Sequence, residues 1–258
     1  IRTSRRMNYN STITSKINPF VKELCSLKDK KFRDEKGEYL VEGFKMVREA
    51  FAFQKPVSYL IGTESGIAEL GINFPQTVIV SEEVLAKISD CIAPQGVCCV
   101  LKKEEYSTEK PQGTSILLDR VSDPGNVGTI IRTAAATGVK DIYLIGSADP
   151  FSPKAVRSSM SGIYSVRLHF IGYDDLKEVF SGVTLIAGDM NGKNVFDLAV
   201  NGDYCVAVGN EANGISENLR AAADEIASIP MTEYAESLNV GVALSVMLYT
   251  LKKGRIIG

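Results

Sequence analysis

Residues 119–138 read DRVSDPGNVGTIIRTAAATG, directly after the apolar run SILLD at 115–119. A short β-branched and leucine-rich run, then a cluster of turn residues, then a segment with helical spacing describes a strand feeding a helix. Asn126 and Arg132 stand six residues apart, less than two helical turns. A loop serving only as a connection does not require that pair.

The same alternation continues to the C-terminus. After a helix expected from about 126 to 137, a strand is expected at DIYLIG, a helix near 153–161, a strand near VRLHF and a helix near 174–180. Strands at TLIAGD and YCVAVG, a helix at 216–223, a strand at EIASIP and a last helix at 237–252 complete the series. Strands alternating with helices predict an α/β fold with a mostly parallel sheet covered on both faces. Upstream, Asn18-Pro19 reads as a helix N-cap with proline at N1. EYLVEG, VSYLI, TVIV and VCCVL read as short strands with helices between them, one of them over 81–89 behind Ser81. The stretch KKEEYSTEKPQGT has linker composition. The expected organisation is an N-terminal extension (1–16), a smaller α/β domain (17–101), a linker (102–113) and a second α/β domain (114–258).

Composition narrows the function classes. The chain has 258 residues, 45% hydrophobic and 23% charged, ordinary for a globular protein. The most apolar stretch, Leu238 to Leu251, is interrupted by Asn239, Gly241, Ser245 and Thr250, so it reads as a buried helix and not a membrane span. The N-terminus IRTSRRMNYN lacks the apolar segment of a secretory signal, and the six residues ahead of Met7 are a candidate non-native leader. Five cysteines without a C-x-x-C and a single histidine, His169 in VRLHF, argue against a disulfide framework or a zinc site. Reduced thiols in the cytoplasm, no membrane partner and no metal are therefore expected. Net charge is −2 overall, yet residues 1–50 hold twelve Lys and Arg against seven Asp and Glu, or +5, leaving −7 for the rest. A basic N-terminal region on an acidic body is suited to a polyanion. KDKKFR brings Lys28, Lys30, Lys31 and Arg33 together as candidate phosphate contacts, and Arg157 in SPKAVRSSMSG is a further one. A solvated helix face is the alternative for the cluster.

In parallel α/β sheets ligands bind beyond the C-terminal ends of strands. Three loops there are richer than connection requires: DRVSDPGNVG, GNEANGIS (209–216) and PMTEYAESLNV (230–240). Neither a G-x-G-x-x-G nor a Walker A sequence is present. Together the three loops resemble the three motifs of the SpoU, or TrmH-like, RNA ribose 2′-O-methyltransferases of the SPOUT superfamily. The first corresponds through Asp123, Pro124, Asn126, Gly128, Arg132 and Thr133. The second does so through Gly209, Glu211, Gly214 and Ile215. The third does so through Ile229, Pro230, Met231, Ser237, Leu238, Asn239 and Val240. The N-terminal part is similar to that family's L30e-like substrate-binding domain, through NPFVKEL and EYLVEG.

The resemblance implies a deep trefoil knot in the C-terminal domain, a homodimer built through that domain, and S-adenosylmethionine as cofactor. Gly188, Gly209, Asn210, Ile229, Met231 and Leu238 would hold the cofactor. Arg132, Asn126, Glu211, Ser237 and Asn239 would form the catalytic set. A guanidinium does not deprotonate in a protein, so Arg132 is expected to fix a substrate phosphate and stabilise developing alkoxide charge. The family often carries Ser in its third motif where this chain has Gly241, which predicts a local packing change and retained activity. Ribosomal RNA is the expected substrate, with transfer RNA as the alternative. A non-catalytic RNA-binding or ribosome-assembly protein of the same fold, and a resistance enzyme modifying one rRNA nucleotide, remain open at this level.

Overall fold

The structure is a computed structural model. It describes residues 12–104 and 110–252. Most of the expected N-terminal extension and the middle of the expected linker therefore lie outside the described residues. The chain divides into two compact units. The first runs to Lys103 and takes in Phe151–Pro153, and the second covers Glu104–Pro150 and Lys154 onward.

In the first unit α1 (Pro19–Ser26) starts as expected: Asn18 Oδ1 accepts from Phe20 N at 2.9 Å, with Pro19 at N1. The chain turns at Leu27–Asp29 and restarts as α2 (Lys30–Lys36), capped by Asp29 and stopped by Gly37 at φ +63°, a left-handed position natural to glycine. There follow β1 (Glu38–Glu42), α3 (Phe44–Ala52), β2 (Val57–Gly62), α4 (Glu64–Leu70), β3 (Thr77–Ile79), α5 (Glu82–Ile88) and β4 (Val97–Lys102). The sheet order is β1-β4-β2-β3, with β4 antiparallel to both neighbours and β2 parallel to β3. Phe20, Val21 and Leu24 of α1 and Val84, Leu85 and Ile88 of α5 close one face of it.

The second unit opens with β5 (Thr114–Asp119), α6 (Pro124–Ala136), β6 (Asp141–Ile145), α7 (Pro153–Ser159), β7 (Arg167–Phe170) and α8 (Leu176–Val179). It continues with β8 (Thr184–Asn194), β9 (Tyr204–Val208), α9 (Glu217–Ala222), β10 (Glu225–Ser228) and α10 (Val240–Lys252). The order is β10-β8-β9-β5-β6-β7 and every pairing is parallel. From β6 to β9 the inner strands are buried along most of their length, which is why they read as continuous apolar runs without alternation. The chain builds outward from β5 through β6 to β7, then returns to the other side of β5 as β9 and β8. That reversal leaves a crevice between the C-terminal ends of β5 and β9.

Two helix starts differ from the sequence reading. α6 begins at Pro124, because Asp123 is the N-cap and its Oδ1 accepts from Asn126 N at 3.0 Å. α10 begins at Val240, because Asn239 Oδ1 accepts from Gly241 N and Val242 N at 2.9 and 3.3 Å. Residues 237–239 thus stay outside the helix. β8 also runs eleven residues, past TLIAGD to Asn194, with β10 shifting register alongside it between Ile226 and Ala227.

Close helix approach sets α6. A Cβ on Gly128 would lie 2.4 Å from the Ala155 carbonyl oxygen and 2.6 Å from Ser158 Cβ. On another face Thr133 Oγ1 meets Ser245 Oγ of α10 at 3.0 Å. There Gly241 lets α10 come near: a Cβ would stand 3.2 Å from Thr129 Cγ2. Because backbone cannot yield as a side-chain tip can, Gly128→Ala is expected to lower stability by about 2 kcal/mol. Urea unfolding of the two proteins measures it, and an unchanged midpoint contradicts this packing.

Candidate active site

Beside the C-terminal ends of β9 and β10 lies a cavity of about 570 Å³, within the usual range for a small-molecule site. Its wall comes from four segments: 188–191 within β8, 208–214 after β9, 227–231 at the end of β10, and 236–247 leading into and opening α10. Val208, Ile229, Met231, Leu238 and Met247 supply apolar surface. Asp189, Glu211 and Glu236 supply carboxylates, and Ser237 and Asn239 neutral polar groups.

The six residues expected to hold the cofactor, Gly188, Gly209, Asn210, Ile229, Met231 and Leu238, all line this one cavity, as do Glu211, Ser237 and Asn239. Gly209 is needed for the loop itself. A Cβ there would sit 2.2 Å from the Gly214 carbonyl carbon, inside the paired Asn210–Gly214 backbone hydrogen bonds of 2.9 Å. Asn210 adds an Asx-type closure, its Oδ1 accepting from Ala212 N and Asn213 N at 3.0 and 3.1 Å.

Asn126 reaches the cavity through its partners. With Asp123 doing the capping, its amide is available for longer contacts. Nδ2 donates to Glu211 Oε1 at 2.8 Å, and Oδ1 accepts from Asn239 Nδ2 at 2.9 Å. Glu211 also accepts from Ser122 N and Ser122 Oγ at 2.9 and 2.7 Å and from Asp123 N at 3.1 Å. One carboxylate therefore joins the loop after β5 to the loop after β9, and Asn126 passes the connection on to the start of α10. Burial by itself raises the Glu211 pKa. The hydrogen bonds from Asn126, Ser122 and Asp123 outweigh it and hold the group at about 2. At neutral pH Glu211 is a fixed anion and a poor proton acceptor.

Arg132 does not line the cavity. It lies on the exposed strip of α6 with Thr129 and Ala136, and its guanidinium makes no hydrogen bond or ion pair among the described residues. Val242 and Tyr249 form an exposed strip on the adjoining α10. The expected basic cluster also changes. Arg33 is buried, 3% exposed, and NH1 donates to the Leu27 carbonyl at 2.8 Å, so it ties down the α1–α2 turn and is withdrawn as a phosphate contact. Lys28 Nζ is engaged by the Lys87 and Ser89 carbonyls at 3.1 and 2.6 Å. Lys30 and Lys31 project into solvent and pair with Asp34 and Glu35 one turn on. Arg157 is exposed on α7. His169 is structural: its Nε2 lies 2.9 Å from Asp141 and its ring stacks on Tyr143 at 4.7 Å. No cluster of potential metal ligands occurs among the described residues, and no described helix is long and apolar enough to cross a membrane.

The sequence reading missed Asp189, Ala243 and Met247 as wall residues. The spacing of Val240, Ala243 and Met247, one face of a helix, is the signal that points at the last two.

Residues 113–249 match the model of the SpoU rRNA Methylase family, and residues 18–99 match that of the MRM3-like substrate binding domain. An uncharacterized tRNA/rRNA methyltransferase of Synechocystis sp. is 34% identical over 257 residues, covering 94% of each chain. The 23S rRNA (guanosine(2553)-2′-O)-methyltransferase RlmP of Bacillus subtilis is 32% identical, covering 93% of this chain and 98% of its own. The crystal structure of an AdoMet-bound rRNA methyltransferase from Sinorhizobium meliloti superposes with a TM-score of 0.87 at 28% identity, covering 96% of this chain and 99% of that one.

The depressed pKa of Glu211 fixes a pH dependence. Its stabilisation is full above the ordinary carboxyl value of 4.5 and is lost as pH falls through about 2. Carbon-detected NMR of the Glu211 carboxyl is expected to give a midpoint near 2, with the loop signals of Ser122 and Asp123 shifting in step. A midpoint near 4.5 contradicts the hydrogen-bonded arrangement.

Proposed function

This chain belongs to the SpoU rRNA Methylase family, and on that premise we propose that it transfers a methyl group from S-adenosylmethionine to a ribose 2′-hydroxyl of ribosomal RNA. The observation that carries the proposal is the cavity beside the C-terminal ends of β9 and β10, walled by the second and third sequence motifs and joined to the first through Glu211 and Asn126.

The cavity suits the cofactor by its chemistry. Val208, Ile229, Met231 and Leu238 offer apolar surface to an adenine ring, with backbone groups of the same loops for its polar edge. Glu211 and Glu236 offset a sulfonium and an α-ammonium charge, while Asp189 is already paired with Arg220 at 2.5 Å. When bound, the cofactor supplies a methyl group on a sulfonium centre, whose departing thioether is neutral. The chain has then to align the ribose oxygen and stabilise charge on it. Asn239 and Asn126 present a fixed amide pair at the cavity rim, and Ser237 adds an exposed hydroxyl. Glu211 holds these groups still as an anion and does not accept the hydroxyl proton, which passes to bulk water. Arg132, permanently charged and uncommitted on α6, fixes an RNA phosphate beside the reacting sugar.

The finer architecture belongs to the same proposal. The segment from β10 past the cavity into α10, which returns against α6, is the part a trefoil knot would thread. The exposed pair Val242 and Tyr249 on α10 is the face through which two copies would pair. The first unit, with its mixed four-stranded sheet and its match to a substrate-binding model, would recruit RNA as an L30e-like domain. The boundaries 17–101, 102–113 and 114–258 describe this division of labour.

The purified protein, incubated with methyl-labelled S-adenosylmethionine and an unmodified 23S rRNA transcript, is expected to leave label on a ribose 2′-oxygen after nucleoside digestion. Arg132→Ala is expected to lower transfer at least about 100-fold while calorimetric binding of S-adenosylmethionine is unchanged. Label on a base, or full turnover by the Ala variant, overturns the reading. Sedimentation at a single-chain mass removes the dimer.

A further inference from the structure

Arg120 has a backbone conformation that an L side chain adopts only at a cost, with φ at +58°. Neighbouring contacts fix it there. Its N–H donates to the Ile145 carbonyl at 2.8 Å, and its own carbonyl accepts from Asn210 Nδ2 at 2.9 Å. On its far side Val121 N donates to Ser147 Oγ at 3.0 Å, and the Val121 carbonyl accepts from Ala148 N at 2.8 Å. The loops after β5, β6 and β9 thus meet at this residue. A glycine would fill the turn without strain, so the arginine needs a reason in its side chain.

The guanidinium is anchored at one corner. Nε donates to Asp119 Oδ1 at 3.3 Å. Asp119 is fully buried and better served by others: Tyr173 Oη donates to it at 2.5 Å and Ser216 N at 2.6 Å. The weak third bond orients the arginine more than it satisfies the carboxylate. The side chain is 40% exposed. Among the described residues its two terminal nitrogens have no acceptor. A planar fork held at its base, with its outer donors facing solvent at the C-terminal edge of a parallel sheet, is preorganised for a tetrahedral oxyanion. It stands two residues from Ser122, which holds Glu211 of the cavity wall.

We infer that Arg120 is a substrate-positioning residue, binding a backbone phosphate of the RNA next to the nucleotide presented to the cavity. This rests on the proposed RNA methyl transfer and adds a contact outside the three-motif set. The strained backbone aims the fork, Asp119 fixes its rotation, and Asn210 links its placement to the cofactor loop.

The test compares wild type, Arg120→Gly and Arg120→Lys for binding to the 23S rRNA transcript by filter retention across a potassium chloride series. Methyl transfer and S-adenosylmethionine calorimetry are run on the same proteins. Glycine fits the turn, and lysine keeps a charge without the anchored fork. Arg120→Gly is expected to weaken RNA binding about tenfold and to flatten the log–log salt slope by roughly one. KM for RNA rises while cofactor affinity is unchanged, and Arg120→Lys restores most of the salt slope without restoring KM. Tyr173→Phe, which removes the stronger partner of Asp119, is expected to leave the salt slope at the wild-type value. A lower melting temperature with wild-type salt slope and KM shows Arg120 to be only a partner for Asp119 and overturns the inference. Wild-type protein that binds the transcript without methylating it overturns the activity reading alone. Failure of wild type to bind RNA overturns both.

Discussion

A single carboxylate holds the site together. Glu211 accepts four hydrogen bonds from Ser122, Asp123 and Asn126, residues of the loop and first turn of α6 nearly ninety positions upstream. Two of the donors are backbone N–H groups at the entrance to α6, which the helix itself cannot satisfy. Only the ionised form can accept them all, which is why the group titrates so low. Because Asn126 extends the connection to Asn239, the first turn of α10 is placed by the same charge. The cavity wall and the entrance to the helix that bears Arg132 therefore depend on one ion.

α6 answers three demands along one short helix. Its N-terminal turn carries Asn126 and the cap that frees it. Its middle packs so tightly on α7 that Gly128 can carry no side chain. Its exposed strip presents Arg132 to what lies outside the chain. The opening stretch of sequence is dense with turn and small residues because each of these contacts is a close one. The same economy governs Gly209, whose missing side chain leaves room for its own loop and not for a ligand.

Much of this was legible in the sequence, and the remainder was hidden for physical reasons. Parallel α/β order follows from apolar runs alternating with helical spacing, and the three loops follow from polar and glycine residues at strand ends. Local pattern identifies such elements well because the forces that define them are local. It misplaced the start of α6, since Asp123 and Asn126 are both plausible caps until the longer partners of Asn126 are known. It counted Arg33 as a surface cation, although the turn after α1 leaves a buried carbonyl that its guanidinium satisfies. It passed over Arg120 because a left-handed arginine has no sequence signature. Each error concerns a contact between residues far apart in the chain.

The dependence of the site on Glu211 is most directly measured by a double-mutant cycle of Glu211→Ala and Asn126→Ala, read as S-adenosylmethionine affinity by calorimetry. The account predicts that either change alone loosens the same loops, so that the second adds little and the coupling exceeds about 1 kcal/mol. Losses that add to within about 0.3 kcal/mol show the two residues acting independently and contradict it.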